Sequence, residues 1–248
     1  MEYLNRIKLL VILLFTLSPI YSNNDFSPKA TGRVFYKEFY SLQYNEEYEQ
    51  ADWVYYRLTK DMVYGDEKRR DSFKVDSDIE TGSAALKDYK SSGFDRGHLV
   101  PAADMKISKK AMSESFYMSN MSPQRPGFNR GIWKKLESFV RFWAVENEEL
   151  YIVTGPVFTE ETYLTIGENR VGIPEYFYKV ILDYKGEEIK AIGFLLPNKK
   201  SSIPIMKYAL SVNDIEDLTG IDFFYNLPDD IEEFIEKDID INLWPTDR

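Results

Sequence analysis

His98 is the only histidine in the chain, and it lies in a short polar segment, residues 92–101, with the sequence SGFDRGHLVP. Asp95, Arg96 and Gly97 come directly before the imidazole. Histidine is the side chain whose unperturbed pKa lies closest to neutral pH, so acid–base chemistry by an imidazole in this chain must use His98. The same four residues are also compatible with an ordinary charged loop, and other parts of the chain are needed to choose between these interpretations.

A second set of polar residues, Asn129, Glu137 and Arg141, lies along one predicted helix. Asn129 is a suitable N-cap for that helix. Glu137 follows eight residues later, about 12 Å along an α-helix axis, so the two side chains cannot easily bind one small ion together. We therefore expect Asn129 to be a direct metal ligand and Glu137 to act through a metal-bound water. Arg141 lies one turn beyond Glu137 and is expected to pair with it.

These residues match the requirements of phosphodiester hydrolysis. A base must deprotonate water, and a cation must neutralise the charge that develops on the phosphate and the leaving oxygen. His98 fits the first role. Mg²⁺ fits the second, because it prefers oxygen ligands and keeps several waters, so one or two protein ligands are enough. Arg96 and Arg57 would bind phosphate oxygens, although Arg57 shares a predicted strand face with Trp53 and Tyr55 and could instead extend its stem to water.

Other interpretations stay open on the residues alone. Asn129 could be only a helix cap, and Glu137 with Arg141 only an exposed pair. A zinc site is poorly supported, because the chain has one histidine and no cysteine. A Ser-His-Asp hydrolase is formally allowed, but no Gly-x-Ser-x-Gly turn is present. Two further hypotheses are a metal-dependent phosphodiesterase for smaller substrates and a non-catalytic nucleic-acid-binding protein.

The amino terminus is typical of a secretory signal. Arg6 and Lys8 precede the apolar run LLVILLFTL, residues 9–17, and Ser22 is a small residue at a suitable cleavage position. The run is far shorter than the roughly 20 residues of a spanning helix, so we expect no stable membrane insertion after cleavage. The predicted organisation is a signal peptide, 1–22, and a single domain, 23–248, with a flexible lead-in at 23–35. The predicted location is secreted or periplasmic.

The charge of the chain is unevenly distributed. The formal net charge is −10, which is unfavourable for a nucleic-acid partner when taken as an average. Residues 213–248 carry twelve acidic and two basic side chains, whereas residues 93–141 carry nine basic and four acidic ones. The middle of the chain could therefore face a polyanion although the whole chain is acidic.

The pattern of hydrophobic residues favours an α+β fold. Residues 51–59 and 150–158 are predicted strands, and residues 175–184 and 188–196 form a predicted hairpin. Residues 61–90 are expected to be a long loop with short pieces of structure. After Asn129, apolar residues recur every three or four positions and predict a helix; they are Ile132, Trp133, Leu136, Phe139, Val140 and Trp143. Strands on both sides of one long helix indicate a mostly antiparallel or mixed sheet.

Several motifs, in this order and spacing, resemble the DNA/RNA non-specific endonuclease family, the ββα-metal or His-Me finger nucleases. The resemblance covers nearly the whole mature chain. It is carried by ADWVYYR (51–57), SGFDRGHL (92–99), PAADM (101–105), SNMSPQ (119–124), NRGIW (129–133) and the pair Leu136-Glu137.

The resemblance implies a ββα-metal nuclease fold, a central antiparallel sheet with helices on both faces. It implies His98 as general base, Asn129 as direct Mg²⁺ ligand and Glu137 as holder of a metal-bound water. It also implies substrate-binding or supporting roles for a further set: Arg96, Arg57, Arg141, Asn120 and Asp95. The implied cofactor is Mg²⁺, with Mn²⁺ as an alternative. The implied partners are DNA and RNA, bound through the backbone and cut to leave 5′-phosphates, and a homodimer is a further expectation.

Overall fold

An antiparallel β-sheet runs through the centre of the computed structural model, which describes residues 25–185 and 188–246. The strands in this part of the chain are β1 (Val34–Tyr36), β2 (Tyr40–Asn45), β3 (Gln50–Thr59), β4 (Asp95–His98), β5 (Met121–Gln124), β6 (Glu149–Val157), β7 (Thr165–Ile166), β8 (Val171–Gly172), β9 (Tyr176–Asp183), β10 (Lys190–Pro197) and β11 (Ala209–Leu210). Seven of them form the central sheet, in the order β1-β2-β3-β6-β9-β10-β11. The pairs β4-β5 and β7-β8 stand apart from it.

Helices cover both faces of this sheet. They are α1 (Lys60–Tyr64), α2 (Leu86–Tyr89), α3 (Lys109–Glu114), α4 (Lys134–Glu146), α5 (Val212–Thr219) and α6 (Asp229–Lys237). Leu136 and Val140 of α4 pack with Ile152 and Ile181 on one face of the sheet. On the other face, Ile215 of α5 and Ile235 of α6 pack with Val180 and Leu182. The predicted α+β fold, with a mostly antiparallel sheet and helices on both faces, is confirmed.

Alternation along β3 divides the two faces. Val54, Tyr56 and Leu58 point into the core beneath α4, whereas Trp53 points into the core beneath α5 and α6. Successive side chains of a strand point to opposite faces, so a strand covered on both sides is aromatic and aliphatic almost throughout. The strand predicted at 51–59 and the hairpin predicted at 175–196 agree with β3 and with the antiparallel pair β9-β10.

The element before α4 differs from the prediction. Asn129 does not cap a regular helix: it lies inside a wide π-type turn, Phe128–Trp133, and α4 begins only at Lys134. The turn is broken at Gly131, where φ and ψ are both −109°. The predicted apolar face of the helix is nevertheless correct, because Trp133, Leu136 and Val140 are all fully buried. The break changes which direction Asn129 faces, since a residue in the wide turn need not follow the helical period of α4.

Part of the predicted lead-in packs against the folded chain. Phe26 is buried and its ring contacts Tyr151 edge-on at 4.7 Å. The backbone of Lys29 donates to the carbonyl of Asp222, and Thr31 donates to the Gln43 side chain. The polar composition of 23–35 suggested flexibility, but a single aromatic residue is enough to anchor it. The predicted signal peptide lies outside the described residues.

None of the described helices is long and apolar enough to cross a membrane. The helices α5 and α6, which contain most of the acidic carboxyl-terminal residues, cover the face opposite α4. The sheet therefore lies between α5 and α6 and the helix that carries Glu137, although Trp244, beyond α6, packs against Trp143 on the α4 side.

The hairpin β4-β5 requires a glycine at position 97. A Cβ added there would lie 2.1 Å from Cδ of Gln124, which is itself fully buried. We expect Gly97→Ala to lower the free energy of unfolding by about 1–3 kcal/mol through overpacking, as measured by urea denaturation. Shortening the opposing residue in a Gly97→Ala, Gln124→Ala double variant should recover part of the loss.

Gly32→Ala is the matched control for this prediction. Its added Cβ would approach no atom closer than 3.6 Å, so the change in stability should stay within about 0.5 kcal/mol. Equal stability of Gly97→Ala and the unchanged protein would contradict the steric argument.

Candidate active site

His98 ends strand β4 and is buried between aromatic rings. Its imidazole meets Phe116 edge-on at 4.9 Å and Phe73 at 5.7 Å. The Nε2 atom is buried and has no hydrogen-bond partner among the described residues. A buried polar atom without a partner is costly, and such atoms in a native fold often belong to a functional site. Nε2 is therefore the atom of this imidazole available to a reactant.

Burial, followed by the nearby charge of Arg69, lowers the pKa of His98 to about 3. Asp71 and a hydrogen bond with the Arg96 backbone oppose this shift but do not cancel it. The imidazole is therefore neutral at physiological pH. A neutral ring that uses one nitrogen for a backbone carbonyl leaves the lone pair of the other free to accept a proton.

Two arginines lie beside this imidazole. The guanidinium of Arg96 lies over the Phe73 ring at 4.2 Å, and that of Arg69 lies near the Phe116 ring at 5.1 Å. Both line a cleft of about 250 Å³ that also includes Asn129. Arg69 also donates from Nε to Asp71 at 2.8 Å. Cation–π contact therefore holds each guanidinium, while the N–H groups of Arg96 and the remaining ones of Arg69 can bind an anion.

Asp95 connects the hairpin to the wide turn. Its carboxylate accepts a hydrogen bond from Nδ2 of Asn129 at 2.9 Å and two from Arg130. Burial alone would raise the pKa of Asp95, but the hydrogen bonds from Arg130 and Asn129 lower it overall. Asp95 stays ionised, and because it holds the amide nitrogen of Asn129, the amide oxygen is left as a free acceptor.

Glu137 lies one turn into α4, and no hydrogen bond or ion pair joins its carboxylate to another described residue. Its expected pairing with Arg141 is not formed. Instead Arg141 donates to the buried Asp104 at 2.7 Å, which also accepts from the Tyr56 hydroxyl at 3.0 Å. Burial raises the pKa of Glu137, and the nearby positive charge of Lys179 opposes that shift.

Asn120 is a supporting residue with no free hydrogen-bonding group for substrate. Its side-chain oxygen accepts from the Val100 backbone, and its amide nitrogen donates to the carbonyls of Val100 and Ser115. Its own carbonyl accepts from the Leu99 backbone. These bonds hold the chain directly after His98, and so they position the imidazole.

Arg57 is not brought to this site. It lies on β3 opposite Tyr151, pairs with Glu149, and shares the strand face of Trp53, which packs beneath α5 and α6. The predicted alternation of β3 is correct, but the strand face that carries Arg57 is turned away from the face that α4 covers. The predicted phosphate contact at Arg57 is therefore wrong in this structure.

Comparison with known proteins agrees with this geometry. A sequence model of the DNA/RNA non-specific endonuclease family matches residues 20–230. Nuclease C1 of Cunninghamella echinulata var. echinulata is 38% identical over 220 residues, covering 82% of this chain and 87% of that one. Mitochondrial endonuclease G of Homo sapiens is 35% identical over 205 residues, covering 77% and 69%.

The fold comparison gives the same result. The crystal structure of the EndoG/EndoGI complex superposes with a TM-score of 0.75 and 30% identity, over 80% of this chain and 88% of the other. The chain belongs to the DNA/RNA non-specific endonuclease family. As a member of this family it is a nuclease, of a class that hydrolyses phosphodiester bonds and depends on a divalent metal.

The side chains at this site could hold a divalent metal only through a small number of oxygen ligands. The described residues contain no group of three or more His, Cys, Asp or Glu side chains that could hold an ion. What they offer is the free amide oxygen of Asn129 and the unpaired carboxylate of Glu137. A hard cation that keeps most of its own waters suits this set, and a zinc cage does not.

Three charged residues with no role predicted from the sequence lie at or near this candidate site. Arg69 lies in the cleft, Asp104 holds Arg141, and Lys179 is buried near Glu137. Each left a signal in the sequence: Arg69 is in a basic run within the long loop, Asp104 is in the PAADM motif, and Lys179 interrupts an otherwise apolar strand.

The hydrogen bond between Asp95 and Asn129 should control metal binding. We expect Asp95→Ala to raise the dissociation constant for Mn²⁺ by about 10–100-fold, because the amide of Asn129 is no longer held. Electron paramagnetic resonance of free Mn²⁺ measures this without substrate. The control is Arg130→Ala, which removes an exposed partner of the same carboxylate but keeps the Asn129 bond. A larger loss from Arg130→Ala than from Asp95→Ala would contradict this assignment.

The low pKa of His98 also predicts a pH dependence of stability. In the unfolded chain His98 takes up a proton below about pH 6.5, whereas in the folded chain it does so only near pH 3. The free energy of unfolding should therefore fall as the pH drops through this window. In His98→Gln that slope should be smaller by up to about 1.4 kcal/mol per pH unit, measured by urea denaturation at a series of pH values. No other histidine contributes, so parallel profiles would show that His98 is not held neutral.

Proposed function

We propose that this protein is a Mg²⁺-dependent, sugar-non-specific endonuclease that cuts DNA and RNA with His98 as general base and one metal ion, leaving 5′-phosphate ends. The observation that carries the proposal is the buried, unpartnered Nε2 of His98, whose ring packs against Phe73 in the wall of the cleft that Arg69, Arg96 and Asn129 line. An anion cradle and a hard-metal ligand line one cleft, and the neutral base packs against its wall. That combination supports phosphodiester hydrolysis over simple binding.

Each residue then has a defined task. Arg96 and Arg69 bind non-bridging phosphate oxygens and orient the phosphodiester. Nε2 of His98 takes a proton from the attacking water, and the negative charge of the bound phosphate raises the basicity of this imidazole above that of the empty site. The oxygen of that water bonds to phosphorus as the bond from phosphorus to the 3′-oxygen breaks. The 3′-oxygen takes up a proton from solvent water, and the phosphate stays on the 5′-oxygen.

Asn129 would hold the ion directly and Glu137 would hold a water of its hydration shell. When bound, Mg²⁺ supplies positive charge next to the leaving oxygen. Arg69 and Arg96 at the cleft would bind phosphate, which deoxyribose and ribose chains share. This supports a nuclease without sugar or sequence preference. We also propose export of the mature chain, residues 23–248, as a single domain after removal of residues 1–22, and homodimer formation.

Digestion of matched substrates tests the mechanism. Plasmid DNA, single-stranded DNA and RNA should all be cut with Mg²⁺ or Mn²⁺ and spared with EDTA. We expect His98→Ala to lower kcat by about 10²–10⁴-fold, as for loss of a general base, and Asn129→Ala to raise the metal concentration needed for activity. End-labelling should find 5′-phosphates.

Arg57→Ala is the control for the variants at the cleft. It is equally an arginine-to-alanine loss of charge, but on the opposite face of the sheet, and its activity should stay within about twofold of the unchanged enzyme. If nucleic acid were still cut in the presence of EDTA and also by the His98→Ala variant, the proposed mechanism would be wrong. Hydrolysis of a nitrophenyl phosphodiester with intact plasmid would indicate a smaller substrate, and binding of DNA without cleavage would indicate a non-catalytic protein.

A further inference from the structure

Arg125 is an exposed arginine that directly follows strand β5. Its guanidinium lies 5.3 Å from the centre of the Phe94 ring, and Phe94 lines the same cleft as Arg96 and Asn129. Within the part of the chain that the structure describes, Arg125 forms hydrogen bonds only through its backbone and pairs with no carboxylate. A guanidinium that is held by an aromatic ring and has no counter-charge is available to an anion.

The register of the hairpin β4-β5 places Arg125 beside the cleft but apart from Arg96. Arg96 pairs with Pro123, so one step further along the hairpin Phe94 lies opposite Arg125. Alternate residues of a strand share a face, so Phe94 and Arg96 point to the same side of the hairpin as Arg125. Diagonal neighbours of this kind are about 7–8 Å apart. The two guanidinium groups also contact different rings, Phe73 and Phe94.

Backbone hydrogen bonds connect Arg125 to the turn that carries Asn129. The Arg125 amide donates to Oδ1 of the buried Asn198 at 2.9 Å. Its carbonyl oxygen accepts from the amides of Phe128 and Asn129, each at 2.9 Å. The position of Arg125 relative to the proposed metal ligand is therefore set by the fold.

Two lysines extend this positive surface. Lys199 and Lys200 directly follow Asn198, and both are exposed. A Cβ added at Gly127 would lie 2.9 Å from Cβ of Lys200, so Lys200 packs against the chain two residues after Arg125. Neither lysine forms an ion pair with a described residue. Arg125, Lys199 and Lys200 are called the basic flank.

The absence of counter-charges at the basic flank contrasts with other exposed cations of the described chain. Arg33 pairs with Glu80 at 3.0 Å, and Lys87 pairs with Glu168 at 2.6 Å. The chain has 41 acidic and 31 basic side chains, so carboxylates are plentiful. Three neighbouring cations without a carboxylate repel one another, and a bound polyanion would relieve that repulsion.

We propose that the basic flank is a second phosphate-binding subsite: Arg125, with Lys199 and Lys200, holds backbone phosphates of the nucleic-acid strand next to the one that is cut. This inference rests on the proposed function of the cleft. At about 3.4 Å of helix axis per nucleotide in one DNA strand, the spacing between Arg96 and Arg125 corresponds to about two nucleotides. The two arginines therefore bind different phosphates. Such contacts position the strand and are independent of base and sugar.

The first test is binding of a long fluorescent oligothymidine to the full chain in EDTA, followed by fluorescence anisotropy between about 50 and 200 mM KCl. Each phosphate contact with a single strand contributes about 0.7 to the slope of log K against log salt. We expect Arg125→Ala to lower the magnitude of this slope by about 0.7 and to weaken binding by about threefold at physiological salt. Replacing all three residues of the basic flank by alanine should lower the slope by about 2. Arg125→Lys keeps the charge and should keep the slope.

The second test separates substrate positioning from chemistry. With Mg²⁺, Arg125→Ala should raise KM for the oligonucleotide and leave kcat within about twofold, because the basic flank does not contact the phosphate that is cut. A dinucleotide has a single phosphodiester and does not reach the basic flank, so its kcat/KM should be the same in the variant and the unchanged enzyme. A general structural defect would instead lower kcat on both substrates.

Arg33→Ala is the matched control. Arg33 is also an exposed arginine over a phenylalanine ring, that of Phe35 at 4.7 Å. It precedes β1, at the edge of the central sheet opposite to β11, and it pairs with Glu80. Its replacement should leave the affinity, the salt slope and KM unchanged.

The outcomes separate the inference from the proposed function. If the unchanged enzyme cuts no nucleic acid with a divalent metal, the proposed function fails. If it does cut, and Arg125→Ala keeps the same affinity, salt slope and KM, the inference is wrong. An equal fall of the salt slope in Arg33→Ala would also overturn it. Should Arg125→Ala not fold, the Lys199→Ala, Lys200→Ala double variant changes only exposed side chains and should lower the slope by about 1.4.

Discussion

The hydrogen bond from Asn129 to Asp95 is the contact on which the site depends. Asp95 begins the strand that His98 ends, and Asn129 lies in the wide turn before α4. One 2.9 Å bond therefore sets the distance between the proposed base and the proposed metal ligand. It can do so because both ends are fixed: Asn120 holds the chain after His98, and the buried Trp133 fixes the turn. The carboxylate of Asp95 can only accept, so it binds the amide nitrogen of Asn129 and leaves the amide oxygen free.

Burial does much of the electrostatic work at this site. Burial lowers the pKa of His98, so its imidazole is neutral. Burial also raises the pKa of Glu137, which favours the protonated form of that carboxyl group. Burial thus favours a neutral His98 that can accept a proton, but it disfavours the ionised form of Glu137. Lys179 of β9 and Arg141 of α4 oppose that shift of the Glu137 pKa, and the low polarity of their surroundings strengthens their influence.

The sequence predicts the elements better than their local geometry. Strand β3 and the apolar face of α4 follow from periodicity, and the site residues His98, Asp95, Asn129 and Glu137 follow from chemistry and motif order. Periodicity cannot show that a helix opens with a wide turn, so Asn129 is predicted as a cap. It also places Arg57 on a face without showing which face the site occupies. The sequence does not predict a role for Lys179, because the charged residues that act on it lie on α4 and after β4 and are brought together only by folding.

The position of the sheet explains how a chain with a net charge of −10 can bind a polyanionic substrate. The acidic helices α5 and α6 pack on one face, and the hairpin, the wide turn and α4 lie toward the other. The sheet separates the carboxylates of α5 and α6 from the cleft. Salt, with a Debye length of about 8 Å at physiological ionic strength, further weakens the repulsion that those carboxylates exert there. At the cleft, aromatic rings hold Arg69 and Arg96 in place beside the carboxylates of Asp71 and Asp95, which pair with Arg69 and Arg130. Net charge is thus a poor guide to substrate here, because a sheet covered on both faces can present opposite charges on its two sides.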